Sequence, residues 1–388
     1  MKNRIAGRLE HVPPSGIRKY FDLIISMEGV ISLGVGEPDF ATPWHITEAA
    51  IHTLERGYTM YTSNSGMLEL RQELARYLKR TFGLDYDPNT ELLITNGVSE
   101  GLDLAMRATL DPGDEVIMSD PAYVAYPASV MLADGVPVQV PTNCQNAFKL
   151  SAPDVEARIT GRTKAVLIGY PANPTGATMS MPELAHIADV ARRHNLLVIS
   201  DEIYNLLVYD TTPTCFACLP GMQERTIFLG GFSKAYAMTG WRVGYAAGSA
   251  EIIAAMTKIH QYTALSSPIM GQMAAIEALR SGEPEAMRMI AEYDRRRRVI
   301  LKGMNDIGLE CFEPRGAFYV FPSIRCTGLS SEDFAEHLLM EEKVAVVHGT
   351  AFGPSGEGHI RCCYATSMEN IEEALARMAR FVQRHRAH

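Results

Sequence analysis

The stretch that decides the fold is residues 165–204, AVLIGYPANPTGATMSMPELAHIADVARRHNLLVISDEIY. It begins with a short apolar run at 165–168, which predicts a buried strand, and the Pro and Gly residues that follow predict a loop. A Ser-x-x-Glu capping box at 180–183 predicts the start of a helix. The apolar run 196–199 then predicts a second strand, which brings Asp201 to its carboxyl end. Together these elements form a βαβ unit, the building block of a parallel sheet covered by helices.

The same pattern recurs on both sides of this unit. The apolar run 226–229 leads to Ser233 and Lys234 in GGFSKAYAMTGWRVGY, and the run 91–95 leads through a turn into a helix predicted over 99–110. In an open α/β sheet, ligands bind beyond the carboxyl ends of the strands. We therefore expect the polar side chains at these ends to share one site.

The sequence changes character after about residue 280. There, GEPEAMRMIAEYDRRRRVILKGMNDIG predicts one long helix, which is followed by strand-like FYVF and HIRCCYA and by a final helix. We predict an α/β protein with a large domain over 44–280, whose mostly parallel sheet is covered by helices, and a smaller α+β domain formed by 1–43 and 281–388. Within the long helix, the arginine run 295–298 is expected to be a solvated helix face.

Charge and hydropathy argue against two classes of partner. The chain has 36 basic and 45 acidic side chains and a formal net charge of −9, which gives nucleic-acid binding no electrostatic support. No apolar run approaches the roughly 18 to 20 residues of a membrane span, and the N-terminal residues lack an apolar signal region. We predict a soluble cytoplasmic protein that binds neither nucleic acid nor membranes.

The cysteine pattern argues against disulfides and metal. Seven cysteines without a secretory signal favour reduced thiols. Cys215 and Cys218 form an isolated CxxC, but a structural zinc needs two further ligands at comparable spacing. The histidines include no HExxH pair. We predict no metal site.

Lys234 carries the first chemical signal. A lysine amine has an ordinary pKa of about 10.4, so it reacts as a nucleophile only where its surroundings disfavour its charge. Small and aromatic residues and the nearby Arg242 would do this, and the planar guanidinium of Arg242 can also hold two phosphate oxygens. Backbone N–H groups of Val98 and Ser99, at a predicted helix start, offer a second anion site. An imine-forming lysine beside phosphate sites predicts pyridoxal 5′-phosphate as cofactor.

Other side chains on the strand-end loops fit the ring of that cofactor. Asp201 is a carboxylate that can keep the pyridine nitrogen protonated, which lets the ring accept electrons. Asn173 and Tyr204 can donate to the phenolic oxygen, and the ring of Tyr123 can stack on the pyridine. Each of these assignments is weak alone, and together they predict a cofactor site.

Four motifs, YPANPTG, SDEIY, GGFSKAYAMTGWRVGY and HIRCCYATS, resemble class I pyridoxal-phosphate-dependent aminotransferases of fold type I. The resemblance extends from VISLGVGEPDF through YTSNSGMLELR and NGVSEGL to PRGAFYVFP, so it covers nearly the whole chain. Within the family, the sequence is most similar to the prokaryotic branch of aspartate and aromatic aminotransferases. The resemblance implies an enzyme that moves an amino group from an L-amino acid to a 2-oxo acid such as 2-oxoglutarate by a ping-pong mechanism.

The resemblance also implies roles at matching positions. Lys234 would bind the cofactor covalently and then move the proton between the substrate α-carbon and the cofactor's C4′ carbon. Arg361 would clamp the substrate α-carboxylate, with Gly36 and Asn173 lining the same pocket, and Tyr61 would reach the phosphate of a neighbouring subunit in a homodimer. The implied catalytic residues are Lys234, Asp201 and Tyr204. The implied cofactor-binding residues are Val98, Ser99, Tyr123, Asn173, Asp201, Tyr204, Ser233, Lys234, Arg242 and Tyr61.

One position departs from part of the family. Some aspartate-preferring members have a lysine, which helps to read a distal carboxylate, where this sequence has Ser99. Because a hydroxyl cannot replace that cation, a narrow aspartate preference is not expected, and an aromatic or broad preference stays open. Arg18 in SGIRKYFD is an alternative cation, although it fits a surface position on an N-terminal helix equally well.

Two other functions are compatible with parts of the sequence. Residues 97–101, GVSEG, match the nucleophile elbow of serine hydrolases, and Asp201 and His348 follow Ser99 in the hydrolase order. A hydrolase leaves Lys234, however, without a purpose. Carbon–sulfur lyases and other eliminating enzymes share the fold and most of the cofactor residues, so cofactor motifs alone do not separate them from aminotransferases.

Overall fold

The structure is a computed structural model that describes residues 4–10, 12–14, 16 and 27–386. Arg18 lies outside the described residues. The strands are β1 Ile31–Ser32, β2 Leu92–Thr95, β3 Glu115–Asp120, β4 Val136–Pro141, β5 Thr163–Ile168, β6 Leu197–Asp201, β7 Thr226–Gly231, β8 Gly244–Ala247, β9 Tyr319–Val320, β10 Val344–Ala345, β11 Val347–His348 and β12 Ile360–Cys363. The α-helices are α1 Trp44–Glu55, α2 Leu68–Phe82, α3 Val98–Thr109, α4 Ala125–Leu132, α5 Ala152–Glu156, α6 Met181–Arg193, α7 Ala250–Thr263, α8 Ile269–Ser281, α9 Glu283–Asp306, α10 Ser331–Glu342 and α11 Met368–His385. Among the helices in these described ranges, none combines the length and apolarity that crossing a membrane requires.

A seven-stranded sheet lies at the centre of the fold, in the order β2-β8-β7-β6-β5-β3-β4. Strand β3 is parallel to both β4 and β5, and the parallel arrangement continues through β6 to β7. Strand β8 is antiparallel to its neighbours β7 and β2. Strands 165–168 and 197–201 are almost entirely buried, as expected where helices cover both faces of a sheet. The prediction of an α/β fold with a mostly parallel sheet is confirmed.

The βαβ unit that led the sequence analysis is present as β5, α6 and β6. The capping box forms as predicted, because the Ser180 backbone N–H donates to the Glu183 carboxylate over 2.7 Å. Helix α6 then packs an apolar face on the sheet through residues that include Leu184 and Ile187. Strand β6 runs two residues further than predicted from 196–199, so Asp201 is its last residue.

The C-terminal part of the chain contains two small sheets. Strands β11, β12 and β9 form one of them, with β12 in the middle and antiparallel to both neighbours. In the other, β1 pairs in parallel with β10, so Ile31 lies beside Val344. This pairing places the segment around residue 31 against the C-terminal part of the chain, and β12 carries Arg361 towards the central sheet.

The expectation of a solvated arginine face on α9 is wrong for two of its four residues. Arg296 and Arg297 are 6% and 2% exposed. Arg296 Nη1 donates to both carboxylate oxygens of Asp39 at 2.8 and 3.0 Å, and Arg297 Nη2 donates to Asp210 Oδ2 over 2.7 Å. A buried arginine is tolerated where carboxylates pair with it. These contacts tie α9 to the loop after residue 36 and to the segment after β6.

Candidate active site

A cavity of about 480 Å³ lies at the carboxyl ends of the parallel strands, between the central sheet and β12. It is lined by Val35, Gly36, Glu37, Val98, Ser99, Leu102, Tyr123, Tyr126, Asn173, Asp201, Ile203, Tyr204, Ser233, Lys234, Thr239, Gly240, Arg242, Tyr319 and Arg361. All the site residues predicted from the sequence are in this lining except Tyr61. The Tyr61 side chain is 79% exposed on the surface.

Lys234 follows β7 and extends into the cavity. Its Nζ donates to the carbonyl oxygen of Gly36 over 2.6 Å. Burial lowers the pKa of the Lys234 amine from its ordinary value to about 8, an effect that the Arg361 and Arg242 charges reinforce and Glu37 opposes. About a tenth of the amine is therefore neutral at pH 7, far more than for a lysine of ordinary pKa, and the neutral form is the one that a nucleophile or proton acceptor requires.

Asp201 is a buried carboxylate at the end of β6. Its Oδ2 accepts the hydroxyl proton of Tyr126 over 2.9 Å, and its Oδ1 accepts the backbone N–H of Ile203 over 3.1 Å. Burial raises the pKa of the Asp201 carboxyl, while those two hydrogen bonds and the charge of Lys234 act against the rise. Such an acid favours a protonated basic nitrogen as a partner, because the pair removes the cost of an isolated buried charge.

An anion site lies where α3 begins. The first N–H groups of a helix have no partner within the helix, and here they belong to Val98 and the residues that follow it. Gly97 takes a positive φ of 76° and packs against Arg242, so a Cβ at Gly97 would lie 2.6 Å from Arg242 Nη2. Arg242 itself has a φ of 54° and donates to the Thr239 carbonyl over 2.8 Å. The turn and the guanidinium together form a cationic cradle whose donors suit a phosphate.

Arg361 is 2% exposed and lies on the opposite side of the cavity. Its Nη1 donates to Asn173 Oδ1 over 2.9 Å and its Nη2 to the Gly34 carbonyl over 2.5 Å. Its guanidinium carbon lies 4.6 Å from the ring centroid of Tyr319 and 4.9 Å from that of Phe352. Its buried Nε has no hydrogen-bond partner among the described residues. A carboxylate is the ligand that best suits a fixed arginine with an unused donor.

The lining residues that the sequence analysis missed include Tyr126, Tyr319 and Glu37. Tyr126, in the first turn of α4, donates its hydroxyl proton to Asp201, and the signal available was its place three residues after Tyr123. Tyr319 lies in the strand-like FYVF segment, which indicated a strand and no site. Glu37 receives a 3.3 Å contact from the Thr239 hydroxyl, and nothing in its surroundings marked it beforehand.

The serine hydrolase alternative lacks the necessary contacts. Asp201 is hydrogen-bonded to Tyr126 and Ile203, and neither contact is with a histidine. His348 Nδ1 lies 2.6 Å from the Thr350 hydroxyl, and His348 is not among the residues that line the cavity. A catalytic triad requires the histidine to bridge the serine and the acid.

Among the described residues, no group of three or more His, Cys, Asp and Glu side chains is arranged to hold a metal ion.

The fold and this site define a transferase of the fold type I, pyridoxal-phosphate-dependent class. Residues 28–378 match the model of the family described as aminotransferase class I and II, and the chain belongs to this family. Members of the family use pyridoxal phosphate, so the protein is a pyridoxal-phosphate-dependent aminotransferase.

Individual relatives match along nearly their whole length. The chain is 53% identical to "Putative aminotransferase YugH" of Bacillus subtilis, across 99% of this chain and all of that protein. It is 45% identical to an aspartate aminotransferase of Pyrococcus abyssi, across 98% of both chains. The crystal structure of an aromatic aminotransferase from Pyrococcus horikoshii superposes with a TM-score of 0.90 at 43% identity, covering 95% of this chain and 99% of that one.

The cavity fits this cofactor by the chemistry of its donors. The cationic cradle at Gly97 and Arg242 suits a phosphate, buried Asp201 suits a protonated pyridine nitrogen, and the amine of Lys234 suits an aldehyde. Pyridoxal phosphate, when bound, supplies an aldehyde that takes up the amino group and a ring that accepts electrons from the substrate α-carbon.

Proposed function

We propose that this enzyme transfers the amino group of an L-amino acid to a 2-oxo acid such as 2-oxoglutarate by a ping-pong mechanism. The observation that carries the proposal is the convergence of three ionisable groups in one cavity: the Lys234 amine, the Asp201 carboxylate and the Arg361 guanidinium. The first supplies a base, the second a partner for a protonated ring nitrogen, and the third a clamp for a carboxylate. All three are required by amino-group transfer on an amino acid.

The proposal assigns each residue a task. Lys234 binds the cofactor aldehyde and, once the substrate amine has displaced it, takes the proton from the substrate α-carbon. Its lowered pKa supports this role, since the displaced amine is partly neutral near pH 7. Arg361 and the backbone at Gly36 position the substrate. The cofactor is held through Val98, Ser99, Tyr123, Asn173, Asp201, Tyr204, Ser233 and Arg242.

The charged groups that line the cavity influence which amino-acid donor it can bind. Its described lining contains three cations, Lys234, Arg242 and Arg361, and each already has a task in the proposal. Ser99 provides only a hydroxyl at the position where the family resemblance implies a lysine in some aspartate-preferring members. This favours an aromatic or broad donor range over aspartate alone.

A donor screen tests the proposed function. Purified enzyme is incubated with each of the twenty amino acids and 2-oxoglutarate, and glutamate formation is measured. We expect transamination with several donors, aromatic ones among them, and bleaching of the visible cofactor band by the same donors without 2-oxoglutarate. Pyruvate and ammonia released stoichiometrically from one amino acid without an acceptor would instead identify an eliminating enzyme.

Substitution of Arg361 by lysine should raise the KM for the amino donor. Lysine keeps the charge but loses the planar pair of donors that holds a carboxylate, so we expect kcat/KM to fall about 100-fold, equivalent to about 3 kcal/mol. Steady-state kinetics with the best donor measures this. Exposed Arg325, replaced in the same way, is the matched control, and equal kinetics for the two variants would contradict the assignment.

We also propose a cytoplasmic homodimer with a large domain at 44–280 and a small domain formed by 1–43 and 281–388. The seven cysteines are all free thiols in the structure, which agrees with a reducing compartment.

Tyr61 supports the dimer, because its exposed side chain lies outside the cavity of its own chain and is free to reach that of a second copy.

Loss of the Tyr61 hydroxyl should weaken cofactor binding. One hydrogen bond to a charged group contributes about 1.5 to 3 kcal/mol, so Tyr61→Phe is expected to raise the cofactor dissociation constant at least about 10-fold. Tyr262→Phe, at another exposed tyrosine, should leave it unchanged. Sedimentation should show a dimer. A fully active monomer, or unchanged cofactor affinity in Tyr61→Phe, would refute the shared site.

A further inference from the structure

Tyr319 lines the cavity and contacts two other lining residues, Tyr204 and Arg361. It is 1% exposed, belongs to β9, and its residue pairs with Cys363 of the neighbouring strand β12. A side chain at Gly36 would collide with its hydroxyl. Phe318 packs edge-on against its ring, with centroids 5.0 Å apart. The ring position is therefore fixed by strand pairing and by packing on several sides.

Both ends of Tyr319 contact residues with proposed tasks. Its hydroxyl oxygen lies 2.7 Å from that of Tyr204, and the two rings meet edge to face at 5.9 Å. The face of the Tyr319 ring supports the Arg361 guanidinium, whose carbon is 4.6 Å from the ring centroid. A guanidinium over an aromatic face is attracted by the ring quadrupole, more strongly when both are removed from water.

The short contact between the hydroxyls restricts where their protons point. Each hydroxyl has one proton, and burial raises the pKa of both Tyr204 and Tyr319, so both stay protonated at neutral pH. If Tyr204 donated to Tyr319, it would have no proton left for a ligand. If Tyr319 donates, the Tyr204 proton remains available to an anionic oxygen in the cavity, and accepting one hydrogen bond strengthens Tyr204 as a donor.

We propose that Tyr319 is a positioning residue that donates its hydroxyl proton to Tyr204 and supports Arg361 on its ring. It thereby links the group that binds the cofactor's phenolic oxygen with the group that binds the substrate carboxylate. This inference rests on the proposed function, which assigns those two tasks to Tyr204 and Arg361.

The test distinguishes the effect of the Tyr319 hydroxyl from the effect of its ring. A donor to the phenolic oxygen stabilises its anionic charge and so disfavours proton uptake by the bound cofactor. Tyr319→Phe keeps the Tyr204 donor but removes the hydrogen bond that strengthens it by about 10 to 30%; because a hydrogen bond to a charged group contributes about 1.5 to 3 kcal/mol, the pH midpoint of the visible absorption change should move upward by about 0.1 to 0.7 pH unit. The donor KM should change less than about twofold, because the phenyl ring still supports Arg361.

The titratable groups facing Tyr319 are Tyr204, Arg361, Cys363 and Tyr123. The other titratable groups that line the cavity are Glu37, Tyr126, Asp201, Lys234 and Arg242.

Three more variants complete the design. Tyr319→Leu should shift the midpoint equally and also raise the donor KM about 10-fold, because the ring is lost. Phe352→Leu removes the other ring on Arg361 and should raise KM without moving the midpoint. Tyr364→Phe removes a buried hydroxyl outside the cavity, which donates to the Ala317 carbonyl over 3.1 Å, and should change neither.

An unchanged midpoint in Tyr319→Phe, or an equal shift in Tyr364→Phe, would overturn the inference. Should Tyr319→Leu fail to fold, Tyr319→Phe and Phe352→Leu still decide the matter. Failure of the proposed function itself looks different, because the wild-type enzyme would then form no glutamate from 2-oxoglutarate with any amino donor, while the pH midpoint of its cofactor band could still be compared with that of Tyr319→Phe.

Discussion

Replacing Lys234 with alanine is expected to lower transamination by about 10⁴-fold and to abolish the covalent attachment of the cofactor. A positioned group that transfers protons contributes about 10²- to 10⁴-fold to the rate, and this lysine is also the proposed attachment point, so the upper value applies. Turnover of the best donor and mass spectrometry after borohydride reduction measure the two effects. Lys234→Arg keeps a cation beside the Gly36 carbonyl and should be equally inactive, which distinguishes chemistry from charge.

Exposed Lys302, replaced by alanine, is the control for loss of a lysine and should retain wild-type turnover. The pH dependence gives a second measurement on the cofactor-free protein. Because the Lys234 amine has a pKa of about 8, its neutral, reactive form increases as the pH rises through 8. The rate at which added pyridoxal phosphate is captured should therefore be half-maximal near pH 8 and level off above about pH 9. A rate still climbing at pH 10 would mean that the lysine is not the buried amine described above.

Replacing Asp201 with asparagine is expected to lower kcat by about 10³-fold. Loss of one preorganised electrostatic contact in an active site costs about 10²- to 10³-fold, and here the neutral amide cannot stabilise a protonated pyridine nitrogen. Tyr126 and Ile203 donate to different carboxylate oxygens, so the single amide oxygen of asparagine can accept from only one of them, and a loss of stability of about 1 to 3 kcal/mol is expected. Steady-state kinetics and thermal unfolding together measure this outcome.

Glu202 supplies the matched control for Asp201. It is the next residue, it is 4% exposed, and burial raises the pKa of its carboxyl to about 7, but it does not line the cavity. Its Oε1 accepts the Ser200 hydroxyl over 2.8 Å. Glu202→Gln should therefore keep wild-type turnover. If both variants lose the same activity, the effect of Asp201→Asn belongs to burial at this strand end and not to cofactor chemistry.

Much of the site could be predicted from the sequence because its residues follow strands directly. Asp201 ends β6, and Lys234 comes shortly after β7. Since parallel strands present their carboxyl ends at one edge of the sheet, predicting the strands was enough to expect that these side chains meet. Gly97 before α3 is another local signal, because a positive φ there suits glycine. The role of Arg361 came from the family resemblance, since it lies 188 residues from its partner Asn173.

Contacts between distant segments could not be predicted in this way. Tyr204 and Tyr319 meet across 115 residues, and Tyr126 reaches Asp201 across 75. Arg296 looked solvated because its sequence neighbours are charged, yet its carboxylate partner Asp39 is 257 residues away. No periodicity in the sequence reports such pairs, because the partner that makes burial favourable belongs to another element.

The sequence by itself therefore determined that the sheet is mostly parallel, several of its strands and the polar residues at their ends. These depend on hydrophobic period, turn residues and capping, which act over a few residues. Only the tertiary structure decided how protons and charges are arranged among those residues: that Lys234 is buried enough for its pKa to fall to about 8, that Tyr126 holds Asp201, and that Tyr319 joins Tyr204 to Arg361. The physical reason is that desolvation and hydrogen-bond partners are set by packing between distant segments, and packing exists only in the folded chain.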